Sequence, residues 1–133
     1  MLVIDASVLA VALLDDGQDG DTVRDRLRGE QLAAPALIDL EVASVWRGLA
    51  RGAHLDAGRV GLALHDLQEL PIQRVDHTWL LMRCWELRDN LTIDDAAYVA
   101  LAEALDAPLL TGDRRLSRAT GPRCTIEVIK AHR

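Results

Sequence analysis

Phenylalanine is absent from this 133-residue sequence, and Trp46, Trp79, Trp85 and Tyr98 are its whole aromatic set. Stacking of bases on an aromatic platform has little to draw on, and apolar packing is the expected use of each ring. Lysine is almost missing too: Lys130 stands alone among 15 basic residues, the rest being Arg, whose fork fits phosphate oxygens. Cys84 and Cys124 lie far apart with no C-x-x-C, so they read as small apolar residues rather than zinc ligands or a redox pair. No apolar run reaches the roughly 18 residues of a membrane span. Met1 to Ile4 meets an acid at Asp5 with no basic stretch before it, unlike a secretory signal, so a cytoplasmic protein without membrane contact is expected. Several catalytic signatures are also missing. There is no G-x-x-x-x-G-K-[ST] loop, no G-x-S-x-G elbow, and no H-E-x-x-H among His54, His65, His77 and His132, which read as surface or partly packed side chains. A phosphoaspartate phosphatase would need a second Asp at position 7, where Ser7 stands. A phosphoacceptor signalling domain would need a Lys ending a late strand, and Lys130 is poorly placed for that.

What is present is a hydrophobic content of 50%, enough at this length for one core without disulfide or metal staples, hence one domain over 1–133. The 21 acidic residues give a formal charge of -6, which argues against a phosphate-rich partner unless carboxylates converge on divalent cations and become a phosphate acceptor. Leu2-Val3-Ile4 reads as a strand buried on both faces, followed by a helix over 6–14. The pattern continues with an exposed helix at 21–28, a short strand at 31–34, and a helix opened by Pro35 and running through Glu41 to Arg51. Val42, Trp46 and Leu49 share one face of that helix. A helix from Asp56 to Leu70, a strand at 72–75, a helix at 77–88 and an internal helix at 93–105 capped by Thr92 follow. A strand at 109–111, a short helix after Asp113 and a strand at 125–129 complete the chain. Short strands alternating with helices predict an α/β fold, a three-layer α/β/α sandwich around a parallel sheet.

Ligands of such sheets bind beyond the carboxyl ends of the strands. Asp5 and Asp113 stand at two such ends, and Glu41 and Asp95 occupy early helical turns that can face the same crevice. Each also has a plainer reading. Asp5 and Asp113 can cap the helices that follow, Asp95 has the spacing of a capping-box residue after Thr92, and Glu41 can be a solvated side chain. Together they would crowd like charges at one rim, which is costly unless cations or protons neutralise them, and oxygen ligands suit hard ions such as Mg²⁺ or Mn²⁺. Arg47 and Arg51 on the Glu41 helix, and Arg114, Arg115 and Arg118 after Asp113, form a candidate strip for a phosphate backbone or a solvated basic face.

Val3-Ile4-Asp5-Ala6-Ser7-Val8-Leu9, Leu40-Glu41-Val42-Ala43, Asp95-Ala96-Ala97-Tyr98-Val99-Ala100-Leu101-Ala102 and Leu110-Thr111-Gly112-Asp113-Arg114-Arg115-Leu116 occur in that order. These segments resemble the PIN-domain family, and within it the VapC toxins. The resemblance implies a Mg²⁺- or Mn²⁺-dependent endoribonuclease with Asp5, Glu41, Asp95 and Asp113 as catalytic metal ligands, and Ser7 and Thr111 as hydroxyls near the metals. It implies RNA as substrate, gripped by Arg47, Arg114 and Arg115, and cut by an activated water to leave 5′-phosphate and 3′-hydroxyl ends. It further implies a homodimer and a VapB-like antitoxin lying in a groove, to which the apolar residues of 38–70 can contribute. One departure is the pair Asp94-Asp95, where the family has a single acid. Helical neighbours point about 100° apart, and the family register selects Asp95, leaving Asp94 as a first-turn acid favoured by the helix dipole. A catalytically silent PIN module that binds RNA or a protein partner is the alternative.

Overall fold

The structure, a computed structural model, describes residues 1–52 and 55–130; His54 and His132, expected at the surface, lie outside them. Five strands, β1 (Leu2–Ile4), β2 (Leu32–Pro35), β3 (Gln73–Val75), β4 (Leu109–Thr111) and β5 (Ile126–Val128), form one all-parallel sheet in the order β3-β2-β1-β4-β5. Among the described residues seven helices accompany it: α1 (Ala6–Leu14), α2 (Gln18–Leu27), α3 (Ile38–Arg51), α4 (Ala57–Glu69), α5 (Leu81–Glu86), α6 (Ile93–Leu105) and α7 (Arg114–Arg118). The expected parallel α/β fold is what the chain adopts.

β1 is central because its three residues, Leu2, Val3 and Ile4, are apolar and buried, so it can be covered on both faces and paired on both edges. α1 gathers α2, α3 and α4 around it, while α6 packs on β1, β2 and β4 with α5 beside it. Two helices lie inside rather than on the surface. α6 buries every residue from Ala96 to Ala102, and α1 buries Val8 to Ala12, so neither needs a polar face along those stretches. α3 instead buries Ile38, Val42 and Trp46, a stripe at four-residue spacing, and the Trp46 indole N–H donates to the Ala10 carbonyl at 3.2 Å. That bond fixes α3, and with it Glu41, against α1.

Three differences from the sequence reading exceed one residue. Pro35 ends β2, where it is in register with Val75, instead of opening α3; a turn at Ala36–Leu37 intervenes, and Leu37 offers no capping side chain to mark the helix start. α2 starts at Gln18 rather than position 21, because Asp15 Oδ1 accepts the Gly17 N–H at 2.7 Å and the Gly20 N–H at 3.3 Å and holds the first turn. The helix expected at 77–88 splits into a 3₁₀ turn, Thr78–Leu80, and the six-residue α5. Among the described residues no helix is long and apolar enough to cross a membrane.

Candidate active site

The chain runs from β1 to β2 and β3 on one side of the sheet, then crosses to β4 and β5 on the other. The switch therefore falls between β1 and β4, which pair Val3 with Leu109 and Ile4 with Leu110. Loops leaving adjacent strands in opposite directions open a crevice at their carboxyl ends. Asp5 and Asp113 are the residues that leave those strands and start α1 and α7.

Both acids cap the helices they precede. Asp5 Oδ1 accepts the Val8 N–H at 3.2 Å and the Ser7 hydroxyl at 2.6 Å, while its Oδ2 accepts the Thr111 hydroxyl. Ser7 in turn accepts the Gly112 N–H at 3.0 Å, so the hydroxyls of β4 and α1 lock Asp5 in the seam between the two strands. Asp113 Oδ1 accepts the Arg115 N–H at 2.9 Å. At Asp5 and Asp113 the cap and the site thus coincide: capping is what points these carboxylates.

Asp95 is carried by the first turn of α6, whose cap is Thr92, its Oγ1 accepting the Asp95 N–H at 3.2 Å. Glu41 sits in the first turn of α3, and Tyr98, one turn further along α6 than Asp95, donates its hydroxyl to Glu41 Oε1 at 2.6 Å. The ring of Tyr98 is 2% exposed, so a phenol in an otherwise apolar helix finds its partner at the crevice wall. This tie between helices is a site contact absent from the sequence reading. The lone hydroxyl in the apolar run of α6 was its signal.

The four carboxylates lie in one another's fields. Burial raises the Asp5 carboxyl above its ordinary range against the pull of Ser7, Thr111 and Val8, and Asp95 adds to the rise. Burial also raises Glu41 against the Tyr98 bond, with Asp94, Asp95 and Asp5 contributing. Asp95 is raised by burial and by Asp113, with Thr92 and the Arg115 charge opposing. Asp113 alone is lowered, chiefly by its bonds to Arg115. Asp95 and Asp113 further share a cavity of about 210 Å³ with Thr92, Arg115 and Leu116. Asp94 also acts on Glu41, so the second acid of the pair adds to the local field.

Crowded acceptor-only oxygens suit a hard divalent cation, which would relieve both their burial and their mutual repulsion. The donor set fits such an ion in its chemistry. Among the described residues, however, no three Asp, Glu, His or Cys side chains stand close enough to ligate one ion together, so the carboxylates share a field and not a finished coordination sphere.

The basic residues divide. Arg115 forks onto Asp113, with Nε 3.2 Å from Oδ1 and Nη2 3.1 Å from Oδ2. Arg114, beside it on α7, and Arg47, in the second half of α3, are exposed. The aromatic expectation holds for half of its residues: Trp46 and Tyr98 are buried, whereas Trp79 and Trp85 are 57% and 59% exposed, and Arg88 lies 4.5 Å over the Trp85 ring. Trp79 stands in the 3₁₀ turn and Trp85 on α5. Cys84 is buried and Cys124 half-buried, and both are free thiols.

Fold and crevice together define a doubly wound α/β protein with a carboxylate cluster at the switch point of its sheet. The family model for the PIN domain matches residues 2–122, and the chain belongs to the PIN-domain family. It is 43% identical over 129 residues to the VapC ribonuclease Mb0985 of Mycobacterium bovis, an alignment covering 97% of this chain and 98% of that protein. Among solved structures, PAE2754 from Pyrobaculum aerophilum superposes with a TM-score of 0.70 at 23% identity, covering 96% of this chain and 83% of that one. VapBC2 from Rickettsia felis, bound to a DNA fragment from its promoter, matches with a TM-score of 0.65 at 14% identity, over 96% and 98% of the two chains. At these identities the two structures speak for the fold.

Proposed function

We propose that this chain is a VapC-type toxin, an endoribonuclease that hydrolyses RNA phosphodiester bonds at the crevice between β1 and β4 with Mg²⁺ or Mn²⁺. The observation that carries the reading is that four acids from separate segments of the chain meet at one crevice, Asp95 bearing on the charge of Asp5 and Glu41, and Asp113 on that of Asp95. A binding module gains nothing from burying repelling carboxylates together. The near full-length similarity to a protein named a VapC ribonuclease supports the same reaction.

Asp5 and Asp95 would hold the principal cation, with Glu41 and Asp113 completing the site. When bound, the divalent ion supplies Lewis acidity that makes water a nucleophile near neutral pH and offsets charge on the phosphate. Ser7 and Thr111 keep both Asp5 oxygens in position, and Tyr98 keeps Glu41 turned toward the crevice. Arg47, Arg114 and Arg115 grip the RNA backbone. The reaction ends are a 5′-phosphate and a 3′-hydroxyl.

A VapB-like antitoxin is the proposed protein partner, in keeping with the VapBC2 complex that shares this fold. Its seat is the groove of about 410 Å³ between α3 and α4, where Leu40, 76% exposed, faces Leu64 and Leu67. The exposed Trp79, Leu81, Met82 and Trp85 supply an apolar face for a second copy in a homodimer. The toxin acts in the cytoplasm, where its RNA substrate is.

The test is direct. Purified protein freed of antitoxin cuts RNA with Mg²⁺ or Mn²⁺ and not in EDTA, and Asp5→Asn and Asp95→Asn each lower the rate at least about 100-fold while far-UV circular dichroism stays unchanged. Cleavage that survives in both variants, or in EDTA, overturns the carboxylate and metal mechanism, and absence of cleavage with either ion overturns the reading in favour of a silent module.

A further inference from the structure

Among the described residues, Arg115 is the one basic side chain hydrogen-bonded to a candidate metal ligand, and it holds it with both arms of its fork. Nε and Nη2 engage the two carboxylate oxygens of Asp113 at 3.2 and 3.1 Å, while the backbone N–H of the same residue caps Asp113 Oδ1 at 2.9 Å. The Arg115 charge also acts on Asp95, the second acid of the shared cavity. Yet its side chain is 89% exposed, so nothing packs it in place. Asp113 therefore has its oxygens occupied by a cation that the protein carries on a free arm.

We propose that Arg115 is a built-in counter-ion, competing with the divalent cation for Asp113 and moving to an RNA phosphate once displaced. This rests on the nuclease reading and adds to it a coupling between the two ligands. With the ion absent, the guanidinium stands in for it and lowers the repulsion at the rim. With the ion bound, Asp113 turns its oxygens to the metal, and the released fork meets the phosphate arriving at the same crevice. Each ligand then helps the other bind, since both favour the state in which Arg115 has left Asp113. An exposed ion pair sets a modest scale for this, a few-fold change in affinity. The neighbouring Arg114 carries the same charge without the contact and serves as its control.

The experiment measures Mn²⁺ affinity of the full chain by calorimetry in the absence of RNA, then KM and kcat for an RNA substrate. Arg115→Ala is expected to bind Mn²⁺ about two- to five-fold more tightly than wild type, while raising KM for RNA. Arg114→Ala is expected to leave Mn²⁺ affinity near wild type, and Arg115→Lys, which keeps the charge without the fork, to fall between wild type and alanine. Binding of Mn²⁺ by wild type with no tightening in Arg115→Ala, or equal tightening in Arg114→Ala, overturns the proposal and leaves the nuclease reading standing. Failure of both wild type and Arg115→Ala to bind Mn²⁺ overturns the nuclease reading together with this one.

Discussion

Asp95 shows how a single carboxylate is held at odds with the fold around it. Its pKa is raised, first by burial and then by Asp113, so the folded state favours the protonated form. A raised carboxylate contributes stability that is fully present below its unfolded value of 3.8 and is lost as pH rises through its higher folded value. Asp5 and Glu41 share that sign, while Asp113 has the opposite one, its contribution being lost as pH falls. Metal-free Asp95→Asn is therefore expected to melt about 2–4 °C above wild type at pH 7, the gap closing toward pH 4. Thermal scans in EDTA across that range check this. A gap independent of pH would mean that packing, not charge, sets the difference.

At the scale of elements, the caps decide where the acids point. Thr92 starts α6 and fixes the backbone of Asp95 three residues on, so Thr92→Ala is expected to cost about 1 kcal/mol of stability in urea unfolding. It should also slow RNA cleavage more than an equally destabilising change remote from the crevice. Much of this level was readable in advance. β1, α1, α6 and β4 follow from apolar runs bounded by Asp5, Thr92 and Pro108, and the two strand-end acids were legible as such. The start of α3 was not, because Leu37 carries no capping oxygen and Pro35 suits a strand end as well as a first helical turn. The Glu41–Tyr98 bond joins residues 57 apart, and the lone hydroxyl in the apolar run of α6 signals that a polar partner is needed without saying which one. The Arg115 fork was read only as a basic strip, since charge spacing does not reveal which acid a flexible arm will choose.

For the whole molecule, exposed apolar surface is the feature that composition concealed. A chain with four aromatic residues is expected to bury them, yet two of its Trp lie open beside Leu81 and Met82, with Met82 77% exposed. If the proposed homodimer uses this face, Met82→Glu is expected to sediment as a monomer in analytical ultracentrifugation without a lower melting temperature, since the side chain contributes little to the core. A dimer that persists in this variant at micromolar concentration would assign the interface elsewhere.

The order of strands has a last consequence, for the time during which the chain is being made. β1, although synthesised first, has β4 as its second neighbour, and the acids of the crevice are drawn from positions 5, 41, 95 and 113. A growing polypeptide thus keeps one edge of its innermost strand unpaired, and its set of acids incomplete, until β4 and Asp113 have been made.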